Sequence, residues 1–265
     1  MKNILDEIVA VKERQVEFEK EETPVSEWEK QPFFNRPSFS LRSALLDKNK
    51  TGIIAEFKRK SPSKGIINDK VSVEELTKAY TAQGASGLSV LTDRAFFGGT
   101  NDDLEQARTN DLPILRKDFI IDEYQVVQAK AIGADVILLI AACLSPARVK
   151  RYAAFAKGTG LEVLLEIHDE TELGHICDEV DMVGVNNRDL KSFKVDINTS
   201  LRIINKIPTS KVAIAESGIS DVETIVTLRQ AGFKGFLIGE KFMKEADPGK
   251  AFAEFVEGLK ADKRY

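Results

Sequence analysis

From Gly52 onward, short unbroken apolar runs rich in Val, Ile and Leu alternate with segments of helical spacing. The runs fall at 53–58, 87–91, 113–117, 135–140, 162–167, 182–186, 211–216 and 235–238. Runs of this length without a polar face predict strands buried on both sides, the pattern of a parallel sheet covered by helices. The segments between them carry helix-start chemistry. Ser72-Val73-Glu74-Glu75 and Ser220-Asp221-Val222-Glu223 fit a capping box, and Asp169-Glu170-Thr171-Glu172 is an aspartate version of it. Ser145-Pro146 and Asp247-Pro248 place proline at the first helical position.

Glycines close a helix just before a strand at Gly84, Gly133 and Gly232, separated by 49 and 99 residues. Those separations are near two and four strand-helix units of about 25 residues, as in a (β/α)8 barrel of roughly 200 core residues or more. An open doubly wound sheet is the alternative. It would place a glycine-rich phosphate loop after its first strand, where this chain reads Lys58-Arg59-Lys60-Ser61-Pro62. The pattern therefore predicts an α/β fold, a (β/α)8 TIM barrel over 51–265 with an N-terminal helical extension over 1–50, in one domain.

Within the extension, Ile4, Leu5, Ile8, Val11 and Val16 or Phe18 recur at near-helical spacing, and a second short helical pattern covers 40–46. Trp28, Phe33, Phe34 and Phe39 would lie exposed unless this segment packs on the barrel.

Composition narrows the setting. The chain has 265 residues, 43% of them apolar, with net charge −4 and pI near 5.5, which argues against a general nucleic-acid binder. Cys143 and Cys177 lie in apolar segments without ligand spacing and read as reduced core residues. No apolar run approaches the roughly 20 residues needed to span a bilayer. Asp6 and Glu7 stand where a signal peptide needs an apolar stretch, so the cytoplasm is expected.

In a strand, side chains alternate faces, so Ile54, Glu56 and Lys58 share one. A carboxylate and an ammonium thus enter an enclosed space, which is costly unless they are paired or used. The C-terminal ends of the runs, where barrels keep their chemistry, gather Glu56, Lys58, Lys117, Glu166, Asn186 with Arg188, and Glu216 with Ser217. In such walls, acids are expected to hold their protons longer and crowded lysines to release theirs more readily, which suits acid–base work. Gly218 and Gly239 end the seventh and eighth runs where backbone N–H groups can approach an anion, with Glu240 opening a short helix and Lys60 and Ser61 opposite; a phosphate monoester is the expected ligand. Phe96 and Phe97, on a loop with Gly98 and Gly99, could stack on an aromatic substrate or fill a gap. His168 and His175 lie among acids that the helix cap already explains, and no metal site is predicted.

Six strings carry a resemblance. Glu56-Phe-Lys-Arg-Lys-Ser-Pro-Ser63, Leu91-Thr-Asp-Arg-Ala-Phe-Phe97, Leu115-Arg-Lys-Asp-Phe-Ile120, Leu165-Glu-Ile-His168, Val185-Asn-Asn-Arg-Asp-Leu190 and Ala215-Glu-Ser-Gly-Ile219 resemble, in order, the strand ends of the indole-3-glycerol phosphate synthase family, in its single-function form. The resemblance implies a cofactor-free ring closure of 1-(2-carboxyphenylamino)-1-deoxyribulose 5-phosphate, with loss of carbon dioxide and water, in tryptophan synthesis. It further implies Lys117 as general acid, Lys58 on the substrate carboxylate, and Glu166 and Glu56 in proton removal and dehydration. Asn186 would bond the sugar hydroxyls, and Glu216 with Ser217 would orient the lysines and substrate. Lys60, Ser61, Gly218, Gly239, Glu240 and Arg188 would bind phosphate, and Phe97, Leu138 and Leu190 the anthranilate ring. A small phosphorylated substrate, no nucleic acid or membrane partner, and a monomer are the expectations. A pathway isomerase of similar barrel would need a cysteine base at the end of the first strand, where this chain has Glu56 and Lys58; a non-catalytic phosphate-binding barrel would not need two lysines and three acids.

Overall fold

The structure is a computed structural model that describes residues 4–190 and 192–265. Eight parallel strands close into a barrel: β1 Ile53–Phe57, β2 Gly87–Leu91, β3 Ile114–Lys117, β4 Val136–Ile140, β5 Glu162–Ile167, β6 Met182–Asn186, β7 Val212–Glu216 and β8 Gly235–Ile238. β1 pairs with β2 on one side and β8 on the other. Each predicted strand is present, with bounds within one residue. Lys60–Ser61 and Gly65–Ile66 add a small antiparallel ribbon after β1.

The helix starts follow the expected chemistry. Ser72 and Ser145 accept from the backbone N–H groups of Glu75 and Arg148, and Asp247 from that of Lys250. Two details differ. Asp221, not Ser220, is the cap of the Val222–Ala231 helix, its carboxylate accepting from the N–H of Thr224. Glu172 does not complete a capping box with Asp169 but turns back to the N–H of His168.

Two apolar layers form. The outward side chains Ile53, Ala55 and Phe57 of β1 join the shell under the helices, whereas Ile54, Leu115, Leu138, Leu164, Ile214 and Leu237 fill the barrel interior. Period-two alternation therefore sends the last inward residue of several strands to the mouth.

The extension forms three helices, α1 Ile4–Glu22, α2 Val25–Trp28 and α3 Leu41–Leu46. It closes both ends of the barrel rather than the mouth alone. Leu41 and Leu45 of α3 join the interior cluster, and Leu41 packs so close to Gly87 that a β-carbon there would meet its Cδ1 at 2.6 Å. α1 instead lays Ile4, Leu5 and Ile8 over the mouth. The buried stripe of α1 is Leu5, Ile8, Lys12 and Val16, and Phe18 faces solvent. Trp28 is half-buried and donates from its indole N–H to the Tyr124 hydroxyl at 2.8 Å. Phe39 is partly exposed but lies under the guanidinium groups of Arg36 and Arg108, 5.2 and 5.1 Å from its ring centre. Cys143 and Cys177 are free, and both are half-buried rather than fully in the core.

The end opposite the mouth is held by Asp135, fully buried at the start of β4. It accepts from Arg36 and Arg108 at 2.5 Å each, and from the N–H groups of Phe39 and Ile114 at 2.8 Å. Asp135→Ala leaves the buried Arg108 and the largely buried Arg36 without their carboxylate, hydrogen-bonded only to backbone carbonyls, and should cost about 3–5 kcal/mol of stability. Urea unfolding checks this; a loss below about 1 kcal/mol, the scale of a single ordinary hydrogen bond, would show that Asp135 does not hold this end together.

Candidate active site

The inward residues at the ends of β1, β3, β5, β6 and β7 meet in one cavity. Its lining includes Glu56, Lys58, Lys117, Glu166, Asn186, Glu216 and Ser217, together with Ser61, Phe97, Leu138, Arg188, Leu190 and Glu240. Residues absent from the sequence-level set also contribute: Leu5, Ile8, Phe119, Phe193 and Leu237.

The charges form two linked groups. Lys58 Nζ lies 2.8 Å from Glu56 Oε1, and Ser89 donates to Glu56 Oε2 at 3.4 Å. Lys117 Nζ lies 2.8 Å from Glu166 Oε2 and 3.5 Å from Glu216 Oε2. Burial alone would make Lys117 a stronger acid, but Glu166, Glu216 and Glu56 reverse this and raise its pKa above the usual lysine value. Lys117 is therefore a firmly protonated ammonium, contrary to the expectation that the lysines here release protons readily. The acids divide the labour. Burial raises Glu166, yet Lys117 and His168 more than compensate and hold it well below the usual carboxylate range.

Burial also raises Glu216, and here the more distant Lys117 does not offset it, so with the Glu166 charge alongside its pKa is pushed up to about 8. We assign the shared proton to Glu216 because its Oε1 is buried without a hydrogen-bond partner, whereas Glu166 has a cation on each oxygen.

His168, whose neighbouring acids read in the sequence as a helix cap, is part of this site. Its Nε2 is 3.2 Å from Glu166 Oε1, close enough for an ion pair although poorly aligned for a hydrogen bond, and its Nδ1 is 3.3 Å from Glu172 Oε2. Burial lowers the imidazole pKa, but the two carboxylates raise it to about 10. His175 serves elsewhere, its ring nitrogens contacting the carbonyls of Glu172 and Leu144.

Two glycines make room for this arrangement. A β-carbon at Gly184, between Met182 and Asn186 on the inward face of β6, would lie 2.1 Å from Glu216 Oε1; one at Gly239 would lie 2.6 Å from Glu56 Oε1. Gly239 is thus a seat for Glu56 as well as the start of the Glu240–Met243 turn of helix. Ser217 adopts a left-handed φ of 65°, a strained conformation for a residue with a β-carbon, and Gly218 follows at 77°. Asn187 holds this turn by donating to the Ser217 carbonyl at 3.1 Å while accepting from Ser200.

On the anion side, Arg188 lies 3.2 Å from Glu240 Oε2. Lys60 is not in the cavity: its ammonium donates to the Ala95 carbonyl at 2.8 Å, in an outer groove shared with Arg59 and Arg94. The ribbon after β1 alternates its side chains, so facing Ser61 inward turns Lys60 outward. Phe97 packs against Phe119, ring centres 6.0 Å apart, on the opposite side.

A closed (β/α)8 barrel with a cluster of paired acids and ammonium groups at its C-terminal mouth has the arrangement of a TIM-barrel enzyme. Solved structures agree on the barrel alone. The 3-hexulose-6-phosphate synthase of Salmonella typhimurium superposes with a TM-score of 0.60 at 13% identity, covering 78% of this chain and 97% of that one. The thiamine phosphate pyrophosphorylase of Pyrococcus furiosus gives 0.59 at 16%, covering 83% and 98%.

Sequence comparison is specific. The family model of indole-3-glycerol phosphate synthase matches residues 5–255. Indole-3-glycerol phosphate synthases of Bacteroides thetaiotaomicron and Salinibacter ruber are 47% and 43% identical over 260 and 263 residues, covering 98% and 97% of this chain and 100% and 97% of their own. The chain belongs to the indole-3-glycerol phosphate synthase family, the decarboxylating lyases of tryptophan biosynthesis. The isomerase and non-catalytic readings are not favoured.

The titrations have a measurable consequence. Glu216 binds its proton up to about pH 8 in the folded chain but only up to 4.5 when unfolded. The folded state thus holds the extra proton between those values, and this group's contribution to stability falls as pH rises through that window. Glu216→Gln, uncharged throughout, should remove that part of the decline. The slope of unfolding free energy against pH checks it, and an unchanged slope would mean that Glu216 is ionised across the range.

Proposed function

We propose that the residues at the mouth divide the ring closure as follows. The ring carbon bearing the carboxylate attacks the ketose carbonyl carbon, and Lys117 gives the carbonyl oxygen its proton. An ammonium kept charged among carboxylates suits a general acid, and this placement of Lys117 is the observation that carries the reading. Lys58, paired with Glu56, is positioned to hold the departing carboxylate, which leaves as carbon dioxide and restores the aromatic ring. The new hydroxyl then takes a proton from the Lys58 ammonium, released once carbon dioxide has left, and departs as water while a carboxylate takes a proton from the adjacent methylene. Glu166, held ionised, suits the base, and Glu56 is the second carboxylate within the cavity.

Asn186 bonds the sugar hydroxyls, and Ser217 and Glu216 orient the cluster. The phosphate lies against Ser61, Arg188 and the backbone at Gly218, Gly239 and Glu240; Lys60 joins only by leaving the Ala95 carbonyl. Phe97, Leu138 and Leu190 clasp the anthranilate ring beneath Leu5 and Ile8 of α1. The enzyme works as a cytoplasmic monomer without a nucleic-acid partner, a reading supported by the slight net negative charge and two free cysteines. Among the described residues, no helix is long and apolar enough to cross a membrane.

Lys117→Ala should lower turnover by a factor on the order of 100 or more with the barrel still folded, followed as indole fluorescence on adding the anthranilate ketose phosphate. Near-normal turnover would remove Lys117 from the chemistry. Arg188→Ala should raise KM for the substrate and weaken competition by inorganic phosphate, with kcat less affected; unchanged values would displace the phosphate from this end of the cavity.

A further inference from the structure

Lys12 is the third member of the stripe that α1 buries, between Ile8 and Val16, and only 1% of it is exposed. Its ammonium lies 2.9 Å from Asp93 Oδ2 and 2.9 Å from Asp118 Oδ1, and donates to Gln15 at 3.0 Å. Both aspartates use their other oxygen on the loops that carry the chemistry. Asp93 Oδ1 caps the Arg94–Phe97 helix, accepting from the N–H groups of Phe96 and Phe97 at 2.7 and 3.3 Å. Asp118 follows Lys117 directly, and its Oδ2 accepts from Thr92 at 2.6 Å and Arg116 at 3.2 Å.

One ammonium thus joins three segments: α1, the aromatic loop and the end of β3. One and two turns back along α1, Ile8 and Leu5 line the cavity. An apolar side chain here would avoid burying an ammonium but would leave the buried Asp93 and Asp118 without their shared cation. What the ammonium adds is a fixed place for α1 relative to both loops.

We propose that Lys12 is a positioning residue that locks α1, the Phe97 loop and the Lys117 strand end in one register, so that the cover and the reacting groups assemble together. The kinetic part of this rests on the function given above; the structural part does not.

The test compares full-length Lys12→Met with Lys130→Met. Lys130 anchors the extension at the far end of the barrel, donating to the Arg36 carbonyl and to Ser38 at 2.8 and 2.9 Å, away from the mouth. Lys12→Met should lose amide-exchange protection at residues 4–16 and 94–98 together and raise KM about tenfold or more, with a smaller change in kcat. Lys130→Met, even with a similar fall in Tm, should keep protection at 94–98 and a near wild-type KM. Should Lys12→Met fail to fold, Asp93→Asn keeps the capping oxygen while weakening the pair, and should show the same pattern more mildly. The proposal is overturned if protection at 94–98 and KM stay at wild-type values in Lys12→Met, or in Asp93→Asn where that variant stands in, or if Lys130→Met reproduces both effects. If the wild-type chain does not turn over the ketose phosphate, the function reading fails while the exchange comparison still decides the role of Lys12.

Discussion

Everything at the mouth depends on one constraint: charges largely buried inside the barrel must be neutralised locally. The interior below them is apolar and filled by Ile54, Leu115, Leu164, Ile214 and their neighbours. Lys117 can stay charged there only because carboxylates converge on it from β5 and β7, and those carboxylates can share the space only because one of them keeps its proton. The result is a firmly protonated ammonium 2.8 Å from an ionised carboxylate, held together by an attraction that outweighs the desolvation cost of each.

The same accounting explains the glycines and the strained turn. Gly184 and Gly239 leave the space into which Glu216 and Glu56 lean, and Ser217 accepts an unfavourable φ so that its turn can close over the site, held by Asn187. Local cost is tolerated where surrounding packing fixes the geometry.

The extension completes the domain at both ends. α3 supplies Leu41 and Leu45 to the barrel interior, Asp135 ties the following strand to Arg36 and the Phe39 N–H, and α1 closes the mouth with apolar side chains and a single buried ammonium. A barrel of this kind has no exposed sheet edge, so the open ends are where additional chain can contribute most.

The barrel is already legible in the amino-acid sequence. Eight doubly buried runs and their caps are local signals, set by side-chain periodicity and backbone hydrogen bonding, and each strand appeared within one residue of its expected bounds. Which strand ends carry charge is legible there too, because the period of two fixes which residues point inward. How those charges interact emerges only when strands distant in sequence pack together. The expectation of an acidic, easily deprotonated lysine failed because the sign of the shift depends on how many carboxylates lie within a few ångströms, and those come from strands distant in sequence. Lys60 was misplaced because the ribbon after β1 turns alternate residues away from the cavity. The acids beside His168 read as a helix cap in the sequence, yet Glu172 reaches back to His168. Lys12 was legible only as a break in the apolar stripe of α1; its two aspartates, 81 and 106 residues further on, meet it solely because the barrel brings the ends of β2 and β3 together beneath that helix.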